Sequence, residues 1–218
     1  MPDIKACLFD LDGVICNTSN FHYLAWKRLA NELGFDIGTE QNDSMKELGR
    51  MEALEKMLEW GKKSFTYAEK EQLANQKQQW YLENLQHLSP DDILPGIPEL
   101  LADLAQRKIK TILGTSSKHA KTVLELLQLS HFFAEVIDGN SLLHVKPHPE
   151  VYLKASAAAG CSASECIVFE DAADGIAAGI AAGCFVVGVG NMKSLKKAHL
   201  VISSFDDMSF EEIIACLN

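Results

Sequence analysis

No uninterrupted apolar run in the 218 residues reaches the roughly 20 needed for a helix to cross a bilayer, which argues against a membrane-spanning helix. Positive charge is scarce too. Twenty Lys and Arg stand against thirty Asp and Glu, a net charge of −10, and a field of that sign attracts neither nucleic acid nor an anionic membrane. An anionic metabolite would have to be met by locally gathered lysines and arginines. None of the six cysteines (Cys7, Cys16, Cys161, Cys166, Cys184 and Cys216) belongs to a Cys-x-x-Cys pair, and most sit in apolar or alanine-rich stretches, as reduced core thiols do. A reducing, cytoplasmic setting is expected. No basic-then-apolar leader is expected, because the apolar run at 6–9 is short and ends in aspartates. Internal repeats and low-complexity tracts are absent as well.

What is present is an ordinary globular composition, 47% hydrophobic and 23% charged, enough for one large domain or one domain carrying an insertion. Short β-rich runs recur at Ala6–Phe9, Lys110–Leu113, Glu135–Ile137, Cys166–Phe169, Phe185–Val189 and Leu200–Ile202. From the second onward they alternate with helical patterns, the signature of a parallel sheet. Residues 16–92 interrupt this alternation with helical spacing alone, punctuated by Gly34, Gly38, Gly61 and Ser89-Pro90. The expected architecture is therefore α/β: a doubly wound, Rossmann-like parallel-sheet core from residues 1–15 and 93–218, with an all-helical cap inserted at 16–92. Pro95-Gly96 marks the return to the core, and Ile97, Leu100, Leu101 and Leu104 share one face of the helix that follows.

The polar residues that could do chemistry stand at strand ends. Asp10 and Asp12 follow the first run two positions apart, so the period-2 rule points both carboxylates the same way, off the C-terminal edge where open α/β sheets bind ligands. Such a pair calls for a cation or a shared proton, although Asp-x-Asp-Gly is equally a turn. After the second run, Gly114-Thr115-Ser116-Ser117-Lys118 offers hydroxyls, N–H groups and an ammonium, suited to phosphate oxygens or to a plain N-cap. Lys146 precedes a proline turn, either as a solvated charge or as a neutraliser of carboxylates. Glu170-Asp171 ends the fourth run just before a helix, where acids are favoured in any case. All four sets would converge on one edge of one sheet. Hard oxygen donors suit magnesium, and a carboxylate nucleophile with magnesium and a lysine describes phosphoryl transfer.

Phe9-Asp10-Leu11-Asp12-Gly13-Val14, Thr115, Lys146-Pro147 and Glu170-Asp171 resemble, in order and spacing, the four motifs of the haloacid dehalogenase superfamily. His22, Trp26, Lys46, Arg50 and Lys77 match positions that the β-phosphoglucomutase branch uses in its cap, so the resemblance runs over nearly the whole chain. It implies Asp10 as nucleophile, Asp12 as general acid and base, and Thr115 and Lys146 on the transferring phosphoryl group. Magnesium would be held by Asp10, the Asp12 carbonyl, Glu170 and Asp171. The sugar and its far phosphate would meet Leu11, His22, Trp26, Lys46, Glu47, Leu48, Arg50, Lys77, Ser116, Ser117, Lys118 and His119, with His22 and Lys77 linking cap position to the aspartates.

The implied reaction interconverts β-D-glucose 1-phosphate and glucose 6-phosphate, with β-glucose 1,6-bisphosphate as priming phosphodonor and intermediate. The protein would work as a monomer on a small phosphorylated sugar. A magnesium-dependent phosphatase of small sugar phosphates is the alternative, and a receiver-like phospho-acceptor without catalysis the third reading. The chain departs from the branch at Lys46-Glu47-Leu48-Gly49-Arg50, where Lys-Gly-x-Ser-Arg is usual. It also departs at Asn17 and His119, where aspartate and asparagine are usual.

Overall fold

The computed structural model describes residues 3–45 and 48–216. In chain order the elements are β1 (Ala6–Phe9), α1 (Ser19–Glu32), α2 (Thr39–Asp43), α3 (Arg50–Trp60), α4 (Tyr67–Leu85), α5 (Ile97–Gln106), β2 (Lys110–Gly114), α6 (Ala120–Leu126) and β3 (Glu135–Ile137). They continue with α7 (Glu150–Ala159), β4 (Cys166–Glu170), α8 (Ala173–Ala182), β5 (Phe185–Val189), β6 (Leu200–Ile202) and α9 (Phe210–Cys216). The expected strand runs are all present, with β2 and β4 each one residue longer than expected. The chain divides into two compact units, one made of the described residues of Met1–Asn17 and Ser89–Asn218, the other Thr18–Leu88.

The first unit is built on a six-stranded, wholly parallel sheet in the order β3-β2-β1-β4-β5-β6. Strand order reverses at β1, with β2 on one side and β4 on the other, so the switch point that favours ligand binding lies at the C-terminal ends of these strands. Alternation of side chains decides which residues meet there. Ala6 and Leu8 of β1, Ile112 of β2 and Cys166 and Val168 of β4 form one buried core with Val151, Tyr152 and Ala155 of α7 and Ile176 and Ala178 of α8. Phe9 and Phe169, of opposite parity, stack on each other at 4.9 Å, and Phe133 and Phe205 meet them edge-on. The residue after Phe169 is therefore turned back toward α7 and α8, and that residue is Glu170. Small residues let α8 lie close to the sheet: Gly179 leaves no room for a Cβ against Val186. The expected stripe of α5, Ile97, Leu100, Leu101 and Leu104, is buried.

The second unit is helical among its described residues, with α4 packed against α1 and α3. Its longest helix opens with a capping box, in which Thr66 Oγ1 accepts the Glu69 N–H at 3.4 Å and the Glu69 carboxylate accepts the Thr66 N–H at 2.7 Å. Ala25, Trp26 and Leu29 of α1 and Ala74, Trp80, Tyr81 and Leu85 of α4 are buried, as one apolar stripe per helix requires. No helix among the described residues is long and apolar enough to cross a membrane.

Candidate active site

At the switch point, Asp10 continues the β1 ladder through its N–H, which donates to the Phe169 carbonyl at 3.0 Å. The turn after it is held by its own backbone. The Leu11 carbonyl accepts from the N–H groups of Ile15 at 2.9 Å and Cys16 at 3.2 Å, and the Gly13 N–H donates to the Cys16 carbonyl at 2.8 Å. Gly13 adopts φ +77°, and a Cβ there would run into the Asp171 carboxylate, so glycine is needed for both conformation and space. This turn buries the Leu11 side chain completely and leaves Asp12 half-buried.

Lys146 ties the strand ends together. Its ammonium donates to Asp10 Oδ1 and to Glu170 Oε1, each at 2.5 Å, and to the Gly114 carbonyl at the end of β2 at 3.3 Å. The loop that delivers it is anchored by Glu150 at the start of α7. The Glu150 carboxylate accepts the backbone N–H groups of Leu143 and His144 and the Lys154 ammonium, and these bonds hold its pKa down to about 2, with Lys154 the leading cause. Glu170 is almost fully buried. Oε1 also accepts the Tyr152 hydroxyl at 2.6 Å, and Oε2 accepts the N–H groups of Asp171 at 3.1 Å and Ala172 at 3.2 Å.

Carboxylate oxygens of Asp10, Glu170 and Asp171 all lie within 4.8 Å of one another. Burial, and then the charges of Glu170 and Asp12, drive the Asp10 pKa well above its ordinary value, while Lys146 opposes them. Burial works against the Lys146 ammonium, but Asp10 and Glu170 outweigh it and hold that group charged. A gathering of hard oxygen donors with this excess of negative charge fits a small divalent cation such as magnesium.

Beside the cluster, Thr115 follows Gly114 and is buried, its N–H bound to the Ile137 carbonyl at 3.0 Å. Thr115 Oγ1 accepts the Ser117 N–H at 3.2 Å, and Ser117 Oγ accepts the His119 N–H at 3.3 Å, so the loop closes on itself ahead of α6. Ser116 and Lys118 are exposed, and His119 is half-buried with its pKa lowered by burial and by Lys118. Three neighbours of the site lie outside the sequence motifs: Tyr152, Gly175 beneath Glu170, and Asp138. The buried Asp138 carboxylate accepts the Asn140 N–H at 3.0 Å, and Asn140 Nδ2 in turn donates to the Lys118 carbonyl at 2.9 Å. Parity on β4 could have pointed to Tyr152 and Gly175, since both face the side to which Glu170 is turned.

In the second unit, Lys77 is buried, with Nζ 2.9 Å from His22 Nδ1 and lying over the Trp26 ring at 4.5 Å and the Tyr81 ring at 5.4 Å. Burial, and after it the charge of Arg50, lowers the Lys77 pKa to about 7. His22 stacks on Tyr81 at 4.0 Å. Arg50 is exposed and donates to Asn75 Oδ1 at 3.2 Å, and Leu48 is half-buried. Lys46 and Glu47 lie outside the described residues.

The model of the haloacid dehalogenase-like hydrolases matches residues 4–183, the span that carries Asp10, Thr115, Lys146, Glu170 and Asp171. The chain belongs to that family. Haloacid dehalogenase-like membership agrees with the sheet order and with the four motifs at its edge. Among curated relatives, the β-phosphoglucomutase of Bacillus subtilis is 37% identical over 210 residues, covering 95% of this chain and 93% of its own. A crystal structure of β-phosphoglucomutase from Clostridium difficile superimposes with a TM-score of 0.88 at 42% identity, covering 99% of this chain and 97% of the other. A phosphorylated carbohydrates phosphatase of Thermotoga maritima is 26% identical and covers 98% of both chains. The chain is therefore a haloacid dehalogenase-like enzyme whose relatives include both mutases and phosphatases.

Proposed function

We propose that this enzyme is a phosphosugar mutase interconverting β-D-glucose 1-phosphate and glucose 6-phosphate by way of β-glucose 1,6-bisphosphate. The observation that carries the reading is the clamped carboxylate of Asp10 at the switch point, within a chain whose likeness to two β-phosphoglucomutases extends over nearly its full length. In the first step an Asp10 oxygen bonds to the C1 phosphorus of the bisphosphate and the bond from that phosphorus to the sugar oxygen breaks, while Asp12 delivers a proton to that oxygen and glucose 6-phosphate leaves. In the second, Asp12 takes the proton from the C6 hydroxyl of β-glucose 1-phosphate, whose oxygen attacks the aspartyl-phosphate, re-forming the bisphosphate and returning Asp10 to a carboxylate. Lys146 neutralises charge on the phosphoryl oxygens, and Thr115 donates a hydroxyl to them. Asp10, Glu170, Asp171 and the Asp12 carbonyl would hold magnesium, which supplies further charge neutralisation to the transferring group when bound. The planar fork of Arg50 suits a bidentate contact with the phosphate that does not react.

Hydrolysis of small sugar phosphates is the second reading. It is favoured by Glu47, an anion in place of a glycine where an anionic sugar is to be bound, and by the phosphatase relative. There water, deprotonated by Asp12, attacks the aspartyl-phosphate and releases inorganic phosphate. The deciding assay supplies purified protein with magnesium, β-glucose 1-phosphate and a trace of the bisphosphate, and follows glucose 6-phosphate and free phosphate together. A mutase forms glucose 6-phosphate in large excess, whereas release of one phosphate per substrate consumed would replace this reading with the phosphatase.

A further inference from the structure

Tyr152 is fully buried in the first turn of α7 and touches three parts of the site at once. Its ring edge packs on β2, where a Cβ at Gly114 would lie 3.4 Å from Tyr152 Cε1. Its ring face lies 5.0 Å from Lys146 Nζ. Its hydroxyl donates to Glu170 Oε1 at 2.6 Å. The four donors on Glu170 differ in kind. The N–H groups of Asp171 and Ala172 pin Oε2 through the local chain, while Oε1 is shared by Lys146 and Tyr152. Lys146 also serves Asp10, so its ammonium is drawn to whatever charge that residue carries. The tyrosine hydroxyl is neutral and is held by a ring wedged between helix and strand.

We propose that Tyr152 is a positioning residue for the divalent cation, fixing the Glu170 carboxylate as a ligand while Lys146 turns to the phosphoryl group on Asp10. The proposal rests on the magnesium site proposed above. A buried carboxylate oxygen deprived of one of two donors is free to rotate or to draw Lys146 fully to itself, and either movement spoils the ligand set. Removal of such an outer partner typically costs about 10–100-fold in metal affinity. Phenylalanine keeps the ring, its packing on Gly114 and its face toward Lys146, and removes only the hydroxyl.

The test is calorimetric titration of magnesium into the unaltered protein and into Tyr152→Phe, with thermal unfolding in the absence of magnesium to verify the fold. The expected result is a dissociation constant raised about 10-fold or more. The magnesium concentration for half-maximal phosphoryl transfer should shift in parallel, so that turnover lost at low magnesium is regained as the metal approaches saturation. Unchanged magnesium affinity, with turnover depressed equally at every magnesium concentration, would overturn the proposal and leave Tyr152 as a packing residue. Absence of saturable binding by the unaltered protein would overturn the metal site itself, and this proposal with it.

Discussion

Gly175 lies so close beneath Glu170 that a Cβ at position 175 would collide with both carboxylate oxygens. The first turn of α8 thus serves as the floor on which a buried acid rests. In an exposed helix, Gly→Ala gains up to about 1 kcal/mol through backbone entropy. Here Gly175→Ala should do the reverse, displacing Glu170 and raising the magnesium requirement of phosphoryl transfer by tenfold or more. Gly183→Ala is the control. It has open space around it but φ +87°, so it should cost about 1–2 kcal/mol of stability and leave magnesium dependence unaltered. Equal magnesium profiles for the two variants would contradict the role given to Gly175.

Asp10→Asn should abolish turnover and covalent labelling by a phosphodonor while leaving the far-ultraviolet circular dichroism unchanged. Asp12→Asn should slow transfer by the roughly 10²–10⁴-fold of a lost general acid and base. Labelled protein recovered from Asp10→Asn, or an Asp12→Asn rate within threefold of the unaltered enzyme, would remove the respective residue from its role.

Arg50 separates the two enzyme readings. Arg50→Ala should cripple use of the bisphosphate and mutase flux, whereas hydrolysis of the aspartyl-phosphate, which needs water and Asp12, should persist. The ratio of free phosphate to glucose 6-phosphate should then rise. A ratio and a flux identical to those of the unaltered enzyme would show that Arg50 does not touch the distal phosphate.

Lys77 carries a pH dependence whose sign follows from its lowered pKa of about 7, against an ordinary value of 10.5. Below pH 7 the amine is charged in both folded and unfolded chains, and burial of that charge weighs fully against folding. Between about 7 and 10.5 the unfolded chain retains the proton and the folded one sheds it, so stability rises with pH across that window. Lys77→Met should flatten the rise. Trp26, Trp60 and Trp80 all lie in the second unit, so denaturant titrations followed by tryptophan fluorescence report the right part of the molecule. Parallel pH profiles for the two proteins would show that Lys77 stays protonated in the fold.

The alternation of β-rich and helical runs, the helical stretch after Cys16 and the four acidic, hydroxyl and lysine sets at strand ends are local properties of the chain. Periodicity and strand-end placement follow from nearest neighbours along the backbone, so they were legible without coordinates. Even the stripe of α5 and the parity that directs Glu170 could be counted off residue by residue. Which strands lie side by side was not local. The order that puts β4 beside β1 brings Glu170 to Asp10 across 160 residues and lets Lys146 bind both. The contacts of Tyr152 with Glu170 and of Gly175 with the same carboxylate are of this second kind, because an apolar-patterned helix tells which face is buried but not which polar atom waits there. Sequence alone determined the chemical inventory and the elements that carry it. Only tertiary packing decided the pairing of donors with acceptors, since a hydrogen bond is set by where two distant backbones come to rest.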